Sequence, residues 1–399
     1  MTRNRLGLLI LILPALFLLP EAAVTTGLDQ DDRERGVVVV KRPVKIAQLV
    51  GDYDRERNRP TANLTARRFG LEGTDLGVPF LHRGRTYLLF GDTAGVRGGD
   101  AIAYTYDTDP EDGLDLTFIH DESGVYKPVF IPGISQEDFE VPMEGTSVGG
   151  KMYVYHTTDH SEKVVMGRSV VAVSEDDGET FRYLYDLSTR HFINVSVVET
   201  DLKESKGFPA CSGRGLVMFG SGRWRKSNVR LAFQPAEQIE SRSAIRYFAG
   251  FDNASQPIWS AAEKDAIALF DQPCVGELSV TYNPFLGRWI ILYNCSGKGL
   301  PIHMRTARLP WGPWSEPQVL YQPDRDKGRC HYVHESWKSK KCDHVHDPGA
   351  EDISGVTYGP YQFGHLARGT PGSTTIYFSI STWNPYTVLL MKATLALER

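Results

Sequence analysis

The chain is poor in the features that announce most catalytic classes. It has five cysteines in 399 residues, too few for a fold held by disulfides, so any bridges would staple loops on a domain held by its core. Lys and Arg number 44 against 49 Asp and Glu, a net charge of -5, with the signs interspersed and no basic block beyond the N-terminus. That surface does not suit a nucleic-acid partner. There is no Walker loop, no Gly-x-Ser-x-Gly elbow and no His-Glu-x-x-His motif, which removes the commonest nucleotide, acyl-transfer and zinc-protease readings. Helical periodicity is also scarce: SAAEKDAIALF at 260–270 is the best stretch and is short. After Leu19 no run is apolar enough to cross a bilayer.

What is present begins at the N-terminus. Arg3 and Arg5 precede an apolar run from Leu6 to Leu19, then small residues at Ala22 and Ala23. This pattern predicts a secretory signal peptide over residues 1–23, and hence a secreted protein with no membrane contact after cleavage. Asn-x-Ser/Thr sequons at Asn63, Asn194, Asn253 and Asn294 suit that address. Residues 24–45 read as a charged leader apart from VVVV at 37–40, and residues 46–399 as one domain, expected to be a monomer.

A hairpin pattern recurs along that domain. GTDLGVPFLHRGRTYLLFGDTAG (73–95) has two strand-forming runs about a Gly-containing turn. Related patterns follow as EGTSVGGKMYVYH (144–156), ACSGRGLVMFGSG (210–222), GELSVTYNPFLGRWIILYN (276–294) and GPYQFGHLARGTPGSTTIYFSISTW (359–383). Their spacing leaves room for two further strands each, so the expected fold is all-β, a five-bladed β-propeller, with a sandwich pair as the alternative. Ser174 to Phe181 matches the Asp-box turn S-x-D-x-G-x-T-F, where Asp176 is expected to fold back on local amides.

In a propeller the first strand of each blade lines the axis, so residues at corresponding strand starts converge. Asp75, Glu144 and Glu277 hold such places in repeats one, two and four, and Tyr358 and Tyr361 in repeat five. Hairpin symmetry sets Asp92 opposite Asp75 and His156 opposite Glu144. Clustered carboxyls with tyrosines suit glycosidic cleavage, which needs one acid to protonate the leaving oxygen and one carboxylate opposite. A calcium site is the rival use of such oxygens, but the acids come from separate strands and lack an Asp-x-Asp-x-Asp-Gly loop. No cofactor is therefore required, and calcium is at most structural. Residues 330–347, CHYVHESWKSKKCDHVHD, could bind zinc, but in a secreted chain a Cys330–Cys342 disulfide is the better expectation. Trp311 and Trp314 are candidates either for stacking on sugar or for packing between blades.

The segments GTDLGVPF with GRTYLLFGDT, VGGKMYVYHTTD, WRKSNVRLAF, VGELSVTYNPFLGRWIILY and STWNPYTVLLMKA carry a resemblance to the domain of unknown function 4185 family over roughly residues 66–395. Some of that family are assigned to glycoside hydrolase family 183 and act as endo-D-arabinofuranases. The resemblance implies a five-bladed propeller acting on a furanose-containing polysaccharide. Repeat two departs from the family, with Pro142-Met143-Glu144-Gly145 in place of Pro-Thr-Gly-Gly. The resulting expectation is a glycoside hydrolase with Asp75 as base or nucleophile, Glu277 as general acid and Asp92 tuning Asp75. Glu144, His156, Tyr358 and Tyr361 would contact sugar. A non-catalytic glycan-binding propeller and a sialidase-like enzyme are the alternatives, the latter needing an arginine cluster.

Overall fold

In each of the five repeats the middle of the second strand is a run of consecutive apolar residues. The computed structural model, which describes residues 35–161, 166–203, 205–295 and 300–398, shows why. In the strand Arg85–Gly95, Leu88 and Phe90 point to one side, into a cluster with Leu390 and Tyr377; Tyr87 and Leu89 point to the other, against Met152 and Val154. Met152/Val154 and Tyr153/Tyr155 divide in the same way, as do Leu216/Met218 and Val217/Phe219. Each such strand is covered on both faces, and a strand so covered reads as a continuous apolar run rather than an alternation.

Five apolar clusters result, each between two adjacent blades. The sheets are antiparallel and contain four strands in blades one, two and four, while blade three carries an extra edge strand. The inner strands are Leu71–His82, Pro142–Val148, Asn194–Asp201, Val275–Asn283 and Thr357–Gln362. All start at one end of the axis, since each blade is entered from the outer edge of the one before. The protein is therefore a five-bladed β-propeller.

Two sequence expectations need correction. The leader does not extend to residue 45: Val37–Gln48 is a strand, paired from Val37 with Leu397 to Gln48 with Leu389, and it completes the fifth blade. The ring is thus closed by joining the two ends of the domain in one sheet, which leaves no unpaired end to fray. In repeat three the inner strand is Asn194–Asp201, well before residues 210–222, which supply only the turn and second strand. Residues 260–270 hold a single short 3-10 turn, Glu263–Asp265. The expected signal peptide lies outside the described residues.

Other expectations hold. Cys330 is bonded to Cys342, and a second bridge joins Cys274 to Cys295, leaving Cys211 as an exposed thiol. Two bridges suit an oxidising compartment. Among the described residues one His/Cys/Asp/Glu group has metal-ligand spacing, Cys330, Cys342 and Asp343, and its sulfurs are those of the disulfide. Asp176 accepts from the Thr180 amide at 2.9 Å and the Ser174 hydroxyl at 2.8 Å, the expected turn closure. Trp311 and Trp314 pack between blades three and four, against Phe208 and Phe219 respectively. Among the described residues no helix is long and apolar enough to cross a membrane.

Candidate active site

The inner strands are not regular, and the irregularities fall on the candidate residues. In blade one the ladder shifts between Gly73 and Asp75 and again between Leu76 and Val78; in blade two it shifts between Pro142 and Glu144. Blade four shifts between Val275 and Leu278, across Glu277, and blade five between Tyr358 and Tyr361. The inner strand of blade three pairs without a shift and contributes no candidate acid. A bulge adds a residue on one strand, bends it and re-aims the side chain. Here that turns side chains toward the axis.

The bulges also alter the symmetric pairing expected from sequence. Asp75 lies opposite Gly91, not Asp92, and His156 lies opposite Pro142, not Glu144. Gly91 is required there: a Cβ would stand 2.6 Å from Val141 and 2.9 Å from the Asp75 carboxyl. Asp92, one position on, has a left-handed backbone at φ 33°.

Asp75, Asp92, Glu277 and Tyr358 line one cavity of about 170 Å³, near the volume of a single sugar ring, together with Arg225 and Tyr386. Asp75 is 7% exposed. Its Oδ2 accepts the Tyr358 hydroxyl at 2.8 Å, while Oδ1 is buried without a hydrogen-bond partner. An orphaned buried carboxyl oxygen is costly and calls for a reason. Burial, then the neighbouring Asp92, pushes the Asp75 carboxyl well above the usual range. Asp92 accepts the Phe139 amide at 2.8 Å, yet its burial pushes it up to about 7. Two such neighbours resist ionising together.

Glu277 is held differently. Arg225 donates to it from Nε at 3.2 Å and from Nη2 at 2.9 Å, a two-pronged contact that fixes the orientation of the carboxyl group. The guanidinium in turn lies 3.9 Å from the centre of the Trp224 ring. Tyr386 donates its hydroxyl to the Asp92 carbonyl at 2.8 Å and forms part of the same wall.

The remaining expected residues lie elsewhere. Glu144 and Tyr361 line a separate cavity of about 640 Å³, built from the later residues of all five inner strands and so at the other end of the axis. Glu144 accepts from Ser196 Oγ, the Val197 amide and the Gly145 amide, each at 3.0 Å, which ties blade two to blade three. Burial nevertheless pushes its carboxyl to about 7. His156 is fully buried and lines neither cavity; its Nε2 lies 2.8 Å from Asp100, whose other oxygen accepts the Asp92 amide at 3.2 Å. It is one layer behind the pocket.

Arg225, Trp383, Tyr386 and Asp100 were not singled out from sequence. The first three fall in WRKSN and STWNPY, segments that carried the family resemblance without a stated role, and Asp100 in an unremarked GGDA turn.

The fold and the pocket define a propeller with paired carboxyls at the axial mouth. The chain belongs to the family described as a domain of unknown function, DUF4185, whose model matches residues 61–392. No curated protein matches it. Among solved structures it is similar to a "putative hydrolase" from Bacteroides ovatus ATCC 8483, at 12% identity over 82% of this chain and 87% of that one, with a TM-score of 0.52. At that identity the likeness is one of fold. Weaker likenesses include the catalytic domain of a Coprinopsis cinerea GH62 α-L-arabinofuranosidase, 11% identical over 90% and 97% of the two chains at TM-score 0.44. An exo-β-1,3-galactanase from Phanerochaete chrysosporium is 7% identical over 88% and 64%, also at 0.44.

Proposed function

We propose that the protein is a secreted, monomeric glycoside hydrolase that cleaves arabinofuranoside-type linkages of a polysaccharide, with Asp75 and Glu277 flanking the scissile bond. The observation that carries this reading is the buried, unpartnered Asp75 Oδ1 in a ring-sized pocket it shares with Glu277. Two carboxyls and water suffice for the chemistry, so no cofactor is invoked.

The charges of the pocket favour roles opposite to those expected from sequence. Asp75, crowded by Asp92 and desolvated, keeps a proton, and its free Oδ1 is the atom that can deliver it to a leaving oxygen. Glu277, clamped by Arg225, serves as the anion that activates water or attacks the sugar. Tyr358 and Tyr386 orient the aspartate pair. Among the described residues Arg225 is the only Lys or Arg lining this pocket, and it donates to Glu277, an arrangement that does not suit the arginine cluster a sialidase needs.

Release of reducing ends from arabinan and arabinogalactan, with sialosides as controls, tests the reading. Activity on the furanosides that is lost in both Asp75→Asn and Glu277→Gln supports it. Binding of the polymers without any turnover would leave a glycan-binding propeller instead.

A further inference from the structure

Beside the pocket lies a second cavity of about 430 Å³, and the two share Asp92, Phe139, Trp383 and Tyr386. Together they form one cleft, which opens between the 136–140 segment and the 347–353 segment. Three of the large apolar residues the protein leaves exposed stand in its walls: Phe139, Ile353 and Trp383, the last 51% exposed. Exposed aromatic and aliphatic groups around a polar cleft offer a face for the apolar side of a sugar ring.

The carboxyl groups of this cleft outnumber its neutral polar side chains. Glu137, Asp138, Glu140 and Asp347 join Asp92 and Asp100 in lining it, and among the described residues no Lys, Arg or His does. Two of the six have a partner from outside the lining: Asp347 pairs with Arg55 at 3.1 Å, and Asp100 lies 2.8 Å from His156 Nε2. Glu140 is buried and accepts the backbone amides of Glu137 and His160 and the side chain of Ser135. Glu137 and Asp138 are exposed, and their carboxylates have no partner among the described residues. At Glu137 and Asp138 negative charge is therefore uncompensated among the described residues, and it stands next to the proposed pocket, whose own Asp75 Oδ1 is unpartnered.

We infer that this cleft binds the leaving-group side of the glycan and selects it by charge, favouring a segment that carries a protonated amine and rejecting one that carries uronate. The inference rests on the proposed active site for its orientation. A single ammonium held among several carboxylates at water-like dielectric gains a modest attraction from each, enough together for about a tenfold preference at low salt. A uronate meets the same fields with opposite sign. Trp383, shared by both cavities, would stack on the sugar that bridges them.

The test is binding by calorimetry to the unmodified protein, using fully deacetylated chitotriose, cellotriose and trigalacturonate, none of which holds a furanoside bond. Affinity should fall in that order at low ionic strength, with at least about tenfold between the first and last, and the spread should narrow at about 1 M salt as the charges are screened. The double variant Glu137→Gln/Asp138→Asn, confined to exposed positions, should narrow it in the same way. Trp383→Ala should weaken all three alike. Equal affinity for the cationic and anionic trimers, no binding of any trimer, or an unchanged preference in the double variant would each overturn the inference. None of these readouts depends on hydrolysis, so failure of the glycosidase reading alone would appear as ordered binding with no cleavage of arabinan.

Discussion

If Asp75 delivers the proton and Glu277 is the anion, their removal should be distinguishable by the leaving group. Asp75→Asn keeps the hydrogen bond from Tyr358 and the side-chain volume but removes the proton donor. General acid catalysis contributes roughly 10² to 10⁴ in rate, so a loss of about 10³ in kcat/KM on polymer is expected, or ~4 kcal/mol of transition-state stabilisation. An aryl furanoside whose leaving phenol has a pKa of about 7 needs little protonation, and on it the same variant should recover to within about tenfold of the parent. Glu277→Gln leaves the Arg225 fork facing an amide and removes the base or nucleophile, so its loss should be of similar size on both substrates. Asp92→Asn supplies a further reading. Asp92 raises the Asp75 carboxyl, so removing its charge lets Asp75 ionise at lower pH, and the alkaline limb of kcat/KM should move to lower pH. The decisive assay is kcat/KM for the three variants on arabinan and on the aryl substrate across pH 4 to 9. Rescue of Glu277→Gln, but not Asp75→Asn, by the activated leaving group would refute the role assignment and restore the order expected from sequence.

Further outcomes are expected. Glu144 has its carboxyl raised in the folded state to about 7, so the folded protein holds a proton the unfolded chain releases; stability contributed below pH 4 to 5 is lost as pH rises through about 7, by a free energy on the order of 3 kcal/mol. Glu144→Gln should flatten the fall in stability over that range in denaturant titrations, and an unchanged slope would remove Glu144 as its source. Of the four sequons, Asn63, Asn194 and Asn294 are buried while Asn253 is exposed, so export through a eukaryotic secretory route should place glycan on Asn253 alone, as peptide mass mapping would reveal. Non-reducing peptide maps should recover Cys274 with Cys295 and Cys330 with Cys342, and only Cys211 should react with iodoacetamide before reduction.

The propeller was legible because its signal is repeated and local. Every second strand carries an apolar run at its centre, every turn carries Gly or Pro, and both properties follow from residue type at short range. The same repeats brought Asp75, Glu277 and Tyr358 to one place correctly. The blade-three inner strand was missed because a link of about a dozen residues separates it from its partner, so no hairpin signal joins INVSVVETD to RGLVMF. The N-terminal strand was missed for a related reason: Val37–Gln48 has its partner almost 350 positions away, and charged residues break its apolar run.

Register, depth and charge partnership were another matter. Whether Asp75 faces Asp92 or Gly91, and whether Glu144 joins the acidic pocket or the opposite end of the axis, turns on bulges of a single residue, which composition does not encode. The partner of Glu277 comes from a connection in the preceding blade, 52 residues earlier, and the acids of the neighbouring cleft come from segments as far apart as Asp92 and Asp347. Strand pattern and turn chemistry are short-range properties and can be read along the chain. A carboxyl's proton is set by burial and by charges that meet it only when the ring closes, so Asp75, Asp92 and Glu277 look alike in one dimension and acquire different chemistry in three.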